Sequence, residues 1–241
     1  MPLLLELFSG TGSIGRAFRA RGWEVFSVDN DPRANASLTA DILQVKASDL
    51  PERPDLIWGS PPCQMYTLAG GRRTQGDLEA SDALVQKTLQ LIEELGNPPC
   101  FIENPFSGRL KSRGLLDHLR LQVVDYCQFG TPYRKRTAIW TKNVDWVPSK
   151  PLCKHDCPAS VDGRRHLATA QRGPPGPRFT QRELYRIPAA LCDEIAEYCD
   201  TVWKAERAIV RNVDVEDFSG EVVTDEGTAT RPHTRPGFER E

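Results

Sequence analysis

LLLELFSGTGSIGRAFRARGWEVFSVD, residues 3–29, decides the fold class. LLLELF (3–8) reads as a strand, GSIGRAFRARG (12–22) as a short helix stopped by Gly22, and EVFSVD (24–29) as a second strand. A strand, a helix and a strand joined this closely form a βαβ unit, whose crossover makes the two strands parallel. The alternation continues downstream. PDLIWG is an unbroken apolar run, as expected for a strand covered on both faces. The spacing predicts a helix from Ser81 to Leu95, with Leu84, Thr88, Leu91, Ile92 and Leu95 on one face, Gly96 at its end and Pro98 beyond. PCFIEN gives another strand, and LQVVDYCQF and RTAIWT, separated by GTPYRK, read as a hairpin-like pair that finishes the sheet. The expectation is an α/β fold with a doubly wound, mostly parallel sheet, whose ligands sit at the carboxyl ends of its strands.

Residues 1–146 are expected to form this main domain. From 147 to 179 the chain is loop-rich, with no helical or strand period. Thr180 and Glu183 then form a capping box, Pro188 restarts the helix, and Leu191, Ile195, Tyr198 and Val202 give residues 180–206 a stripe to pack back on the domain. Residues 207–241 are polar and rich in Thr, Pro and Gly, the composition of a disordered tail. With 241 residues, 39% hydrophobic and 27% charged, the chain has the balance of a soluble protein with one full core and a small appendage. No apolar run reaches membrane-spanning length, which excludes a membrane partner on this reading. The seven cysteines are odd in number and scattered, so reduced thiols and a cytoplasmic location are expected. Net charge is −2, but residues 211–241 hold eight acidic against four basic side chains, which leaves the body slightly positive.

GSPPCQMYTLAGG (59–71) carries the first chemical signal. Pro61 and Pro62 cannot continue a ladder and hold Cys63 on a stiff elbow at a strand end. Two readings stand there: a nucleophile fixed beside a mobile basic loop containing Arg72 and Arg73, or a buried structural thiol. FSGTGSIG opens the first helix, and Gly10 and Gly12 allow close backbone approach to a ligand. Asp29 ends the second strand, where it can accept both hydroxyls of a ribose, and Asp41 and Ile42 can bracket an adenine; each aspartate can equally be a turn residue. Glu103 and Asn104 in FIENP lie at the same sheet edge as Cys63, where partial burial lets a carboxyl hold a proton near neutrality. Arg134, Lys135 and Arg136, with Arg164 and Arg165, form basic clusters that suit phosphates or remain solvated surface charge. In LCKHDC, Cys153, His155 and Cys157 alternate and His166 follows, a set that either holds a structural zinc or packs as unligated groups.

LELFSGTGSIGRAF, VDND, ADI, GSPPCQ, IENP and FGTPYRKRTAIW occur in an order and spacing that resembles the DNA cytosine-5 methyltransferases, over roughly residues 3–141, with closest likeness to the small phage and prophage type. The resemblance implies the Rossmann-like fold of S-adenosylmethionine-dependent methyltransferases and DNA as the partner. It implies that Cys63 attacks C6 of a flipped cytosine, that Glu103 protonates N3 and that Asn104 orients the loop. Phe8, Ser9, Gly10 and Gly12 would line the methionine end of the cofactor, Asp29 with Asn30 the ribose, Asp41 and Ile42 the adenine, and Pro61 would border the cofactor. Gln64, Arg72, Arg73, Arg134, Arg136, Arg164 and Arg165 would face DNA. Where the family has Gln-x-Arg-x-Arg, this chain has Tyr133, Lys135 and Thr137, which implies that the arginine supporting the cytosine carbonyl is either replaced by Lys135 or lost. A separate recognition domain is missing, which implies either minimal sequence selectivity or a partner protein that shares recognition by an otherwise monomeric enzyme. Two alternatives share these motifs: an RNA (tRNA) cytosine-5 methyltransferase, and a catalytically silent nucleic-acid-binding protein on the same fold.

Overall fold

A computed structural model describes residues 1–67, 74–170 and 179–216. Its main sheet has seven strands: β1 (Leu3–Leu7), β2 (Glu24–Asp29), β3 (Leu38–Thr39), β4 (Leu56–Gly59), β5 (Cys100–Pro105), β6 (Arg120–Asp125) and β7 (Arg136–Lys142). They lie in the order β3-β2-β1-β4-β5-β7-β6. The first five are mutually parallel, and β7 runs antiparallel between β5 and β6. Such a sheet buries both faces at its centre, and alternate residues of β1, β4 and β5 do so. Leu5, Leu7, Ile57 and Ile102 face a core shared with Val85, Leu91 and Ile92 of helix α2 (Gln75–Glu94). Their neighbours Leu4, Leu56, Trp58 and Phe101 face a second core with Ile14 and Phe18 of helix α1 (Ser13–Arg19). Full burial of side chains this size contributes roughly 1.5–3 kcal/mol each, so the apolar runs of β1, β4 and β5 account for most of the drive to form the sheet.

Ser81 is not the start of α2. The helix begins six residues earlier, at Gln75, capped by a reciprocal pair in which Asp77 N donates to Thr74 Oγ1 at 3.1 Å and Thr74 N donates to Asp77 Oδ2 at 2.9 Å. Gly76 in the first turn disguises this start, because the cap compensates for a residue that otherwise disfavours helix. A second capping box, Thr180 with Glu183, opens helix α3 (Gln181–Tyr185) as expected. Helix α4 (Ala189–Glu216) lies against the second core, but its buried face is Leu191, Cys192, Ile195, Ala196 and Cys199. Val202 is 37% exposed, so the expected stripe drifts off the core at its far end. Small Cys and Ala side chains set the close approach that a count of large apolar residues overlooks. The chain forms one compact unit through Trp203; from Lys204 the second unit is helical to Glu216, past the boundary expected at 206, because no Gly or Pro interrupts that stretch. Residues 217–241 lie outside the described ones.

The segment after Trp146 is not wholly irregular. Ser160–Val161 (β8) and Arg165–His166 (β9) form a small antiparallel ribbon turned by Asp162 and Gly163, both at positive φ (58° and 66°). An Asp-Gly pair is a hairpin signal, hidden here by strands of two residues. The two ends of the compact unit meet at Asp55, whose carboxylate accepts from Leu3 N at 2.8 Å and from the Trp203 indole at 2.9 Å. Among the described residues no helix is long and apolar enough to cross a membrane.

Candidate active site

The turn leaving β1 is built from left-handed backbone. Phe8, Gly10 and Gly12 have φ of 57°, 48° and 63°. Glycine adopts this at no steric cost; Phe8 does not, and stores roughly 1–3 kcal/mol of strain that the surrounding bonds must hold. Those bonds run from Ser9 N to Val28 O (3.1 Å) and from Gly10 N to Asp29 Oδ2 (2.7 Å). Asp29 Oδ1 accepts from Asp31 N at 2.8 Å, so the carboxylate at the end of β2 is locked in orientation while each oxygen retains a free lone pair. Beneath the turn Glu6 is 3% exposed and accepts from Gly15 N of α1 at 3.2 Å. A Cβ on Gly15 would meet Glu6 Oε2 at 2.5 Å, so any other residue there would have to displace the Glu6 carboxyl. Burial pushes the Glu6 carboxyl up to about 7, against the opposing effect of the Gly15 hydrogen bond.

Beyond β4 the Pro61–Pro62 elbow is pinned from the next strand: Asn104 Nδ2 donates to Pro61 O at 2.8 Å in a buried contact. Cys63, half-buried, begins a turn in which Tyr66 N and Thr67 N both donate to its carbonyl, at 3.1 and 3.0 Å. Burial pushes its thiol up; the ammonium of Lys135 opposes this, and Glu103 adds to it. Glu103, 8% exposed at the end of β5, accepts a hydrogen bond from the Tyr126 hydroxyl at 3.2 Å. Burial, then the charge of Glu103, drives the Tyr126 phenol far up, so it stays a neutral donor. Lys135 immediately precedes β7. Its Nζ donates to Leu184 O at 3.1 Å and lies 4.9 Å from the Tyr126 ring centre. Because β7 is antiparallel, its start lies at the edge where β4 and β5 finish, which brings Lys135 beside Cys63 and Glu103.

These groups share one cleft of about 490 Å³, a volume typical of small-ligand sites. Its wall includes Phe8, Ser9, Gly10, Asp29, Asn30, Asp41, Ile42 and Pro61 on one side and Cys63, Gln64, Glu103, Asn104 and Lys135 on the other. Gly12 shapes the turn without lining the cleft. Asp41 caps the short helical turn that follows it, accepting from Leu43 N at 3.0 Å, and Ile42 is buried. Ser9 Oγ is buried with no protein partner, as is Asn104 Oδ1, which leaves two polar atoms on the wall for a ligand to satisfy. Sequence reading missed Tyr185 of α3, which lines the cleft and accepts from Gln64 Nε2 at 2.7 Å. It also missed Tyr126; no spacing rule links either tyrosine to a cysteine or glutamate so distant in the chain.

The basic groups divide. Arg134, Arg164 and Arg165 are exposed, the last 3.6 Å from Asp162. Arg136 is not a free cation for DNA: it pairs in bidentate fashion with buried Asp125, Nε to Oδ1 at 3.0 Å and Nη2 to Oδ2 at 2.7 Å. Arg72 and Arg73 lie outside the described residues. Cys153, Cys157 and His166 do come together, but His155 is not the fourth member of their cluster; Cys127, from the turn after β6, is. His155, at φ 66°, turns the chain and donates its backbone N–H to Cys153 Sγ at 3.3 Å.

Comparison with known proteins gives the family. The family model for C-5 cytosine-specific DNA methylases matches residues 3–111. A probable DNA (cytosine-5)-methyltransferase of Frog virus 3 (isolate Goorha) is 33% identical over 217 residues, covering 81% of this chain and 99% of the viral one. The type II methyltransferase M.NgoPII of Neisseria gonorrhoeae is 29% identical over 140 residues, covering 52% of this chain and 40% of its own. Among solved structures, a putative DNA modification methyltransferase encoded within an E. coli prophage aligns with a TM-score of 0.45 and 20% identity, over 58% of this chain and 46% of that one. The chain belongs to the C-5 cytosine-specific DNA methylase family. Its activity is S-adenosylmethionine-dependent methylation of DNA at C5 of cytosine.

Proposed function

We propose that methylation proceeds through a covalent bond between Cys63 Sγ and cytosine C6, with Glu103 as the acid at N3. What carries the assignment is the meeting of a thiol, a buried carboxyl and an ammonium group at one end of the cleft whose other end is the glycine turn with Asp29. Pyrimidine C5 is a poor nucleophile until C6 carries an added electron pair. Cys63, held on the Pro61–Pro62 elbow, supplies that pair; as it adds, charge develops at N3, where a proton on Glu103 neutralises it. Tyr126 occupies Glu103 Oε1 and so fixes the carboxyl plane, leaving Oε2 for the base. Lys135 favours the thiolate, and its ammonium would support the cytosine carbonyl oxygen. Ser9, Gly10 and Asp29 would hold S-adenosylmethionine, which supplies an electrophilic methyl group when bound. With the methyl group on C5, a base takes the C5 proton, the C5–C6 double bond re-forms as the bond from C6 to Cys63 breaks, and N3 returns its proton to Glu103. Exposed Arg134, Arg164 and Arg165 would meet phosphates, and a recognition segment of this size suits a short target, read alone or with a partner protein.

DNA containing 5-fluorocytosine tests the covalent step, because fluorine cannot leave as a proton does. With S-adenosylmethionine the wild type is expected to form an adduct that survives denaturation, and Cys63→Ala to form none. An adduct that persists in Cys63→Ala sinks the assignment.

A further inference from the structure

We propose that Cys127, Cys153, Cys157 and His166 form a closed, four-coordinate zinc site that fastens the segment after Trp146 to the turn between β6 and β7. Their ligand atoms all lie within 4.8 Å of one another. Two sulfurs bound tetrahedrally at about 2.3 Å from one zinc stand roughly 3.8 Å apart, so a small inward adjustment closes the shell. Three thiols and one imidazole make a standard structural zinc donor set, whereas pairing two of the thiols as a disulfide would strand the third. The three cysteines are buried and, with Ala159, form a small cluster of their own, separate from both sheet cores.

The surroundings are built to hold thiolates. Cys153 and Cys157 sit four apart on a turn made by left-handed His155, whose N–H points at Cys153 Sγ (3.3 Å), a donor that supports a metal-bound sulfur. His166 Nε2 lies 3.4 Å from the same sulfur. Cys153 N donates to Asp125 Oδ2 at 3.0 Å, and Arg136 neutralises that carboxylate, so the knuckle is tied to β6 and β7. The segment has little apolar side chain of its own, and a metal is what a piece of this size needs to hold one shape. Cys127 follows Tyr126, the residue bonded to Glu103, and His166 lies on the ribbon that carries Arg164 and Arg165. One ion thus holds the ribbon and the turn beneath the carboxyl in a fixed relation.

The assignment is independent of the methyl-transfer reading and is tested without an activity assay. Full-length protein expressed in zinc-supplemented medium without a histidine tag should contain about one zinc per chain by elemental analysis. Titrating wild-type thiols with a mercurial should release that zinc to a metallochromic indicator, and cobalt exchanged into the site should give the visible absorption of a tetrahedral thiolate complex. Cys157→Ser should lose at least half of the metal and melt earlier, whereas His155→Ala should retain it. Less than about a tenth of a zinc per chain in the wild type, with melting unchanged by chelator, would overturn the proposal and leave a hydrogen-bonded thiol cluster. Full zinc in Cys157→Ser together with loss in His155→Ala would overturn this ligand set. Should Cys157→Ser fail to fold, the wild-type metal content and mercurial release still decide.

Discussion

Replacing Glu6 by Gln should remove a specific pH dependence of stability. The carboxyl is 3% exposed under the glycine turn, and burial raises it from 4.5 to about 7 despite the Gly15 hydrogen bond and the charges of Arg19 and Arg16; Asp29 pushes in the same direction as burial. A carboxyl whose folded pKa lies above its unfolded value favours the fold while protonated, and that advantage is lost as pH rises through the folded value. With these two values, about 2–3 kcal/mol of wild-type stability should disappear between pH 5 and pH 8, at 1.36 kcal/mol per unit. Gln keeps the carbonyl that accepts from Gly15 and cannot ionise. Urea unfolding of both proteins at pH 5, 6, 7 and 8 reads the effect as the change in their difference, which cancels the titration of other groups. The variant should gain on the wild type mainly between pH 5 and pH 7 and level off by pH 8. A difference constant to within about 0.5 kcal/mol across that range would mean that Glu6 is not held neutral by burial.

Glu103→Gln preserves shape but cannot deliver a proton to N3; turnover on DNA should fall by about a hundredfold or more with cofactor binding retained, and wild-type turnover would refute the role. Lys135→Met removes the charge that opposes burial at Cys63, so the pH midpoint for alkylation of that thiol should move upward, while Lys135→Arg should leave it near the wild-type value. An unchanged midpoint in the methionine variant would show that Lys135 does not act on the thiol.

Strand and helix alternation made four of the five parallel strands readable from residues 3–105, because runs buried on both faces are mostly apolar, whereas β3, only two residues long, carries no such run. The paired prolines marked the elbow because few other sequences stiffen a chain there, whereas Asn104 as its partner came only from the family resemblance. The start of α2 stayed hidden behind Gly76, and the inner face of α4 behind its cysteines and alanine, because packing distance rather than hydrophobic bulk selects those residues. Cys127 could not be grouped with Cys153 from spacing, since only the folding of β6 against β7 brings the two together. Arg136 looked like a surface cation until Asp125, one strand away, claimed it.

The shared carboxylate of Asp55 has a consequence for the order in which the molecule assembles. Leu3 and Trp203 are separated by almost the whole compact unit, yet both hydrogen-bond to one side chain on the short loop before β4. Closing so long a loop costs only slightly more entropy than closing one of half the length, but the contact cannot form until both ends exist. On a ribosome, β1, β2 and β4 emerge well before α4, so the face of β1 that carries Leu4 must wait for that helix to cover it. The fold therefore closes late around β1, and a permuted chain that linked Leu3 directly to Trp203 would turn this long-range contact into a local one.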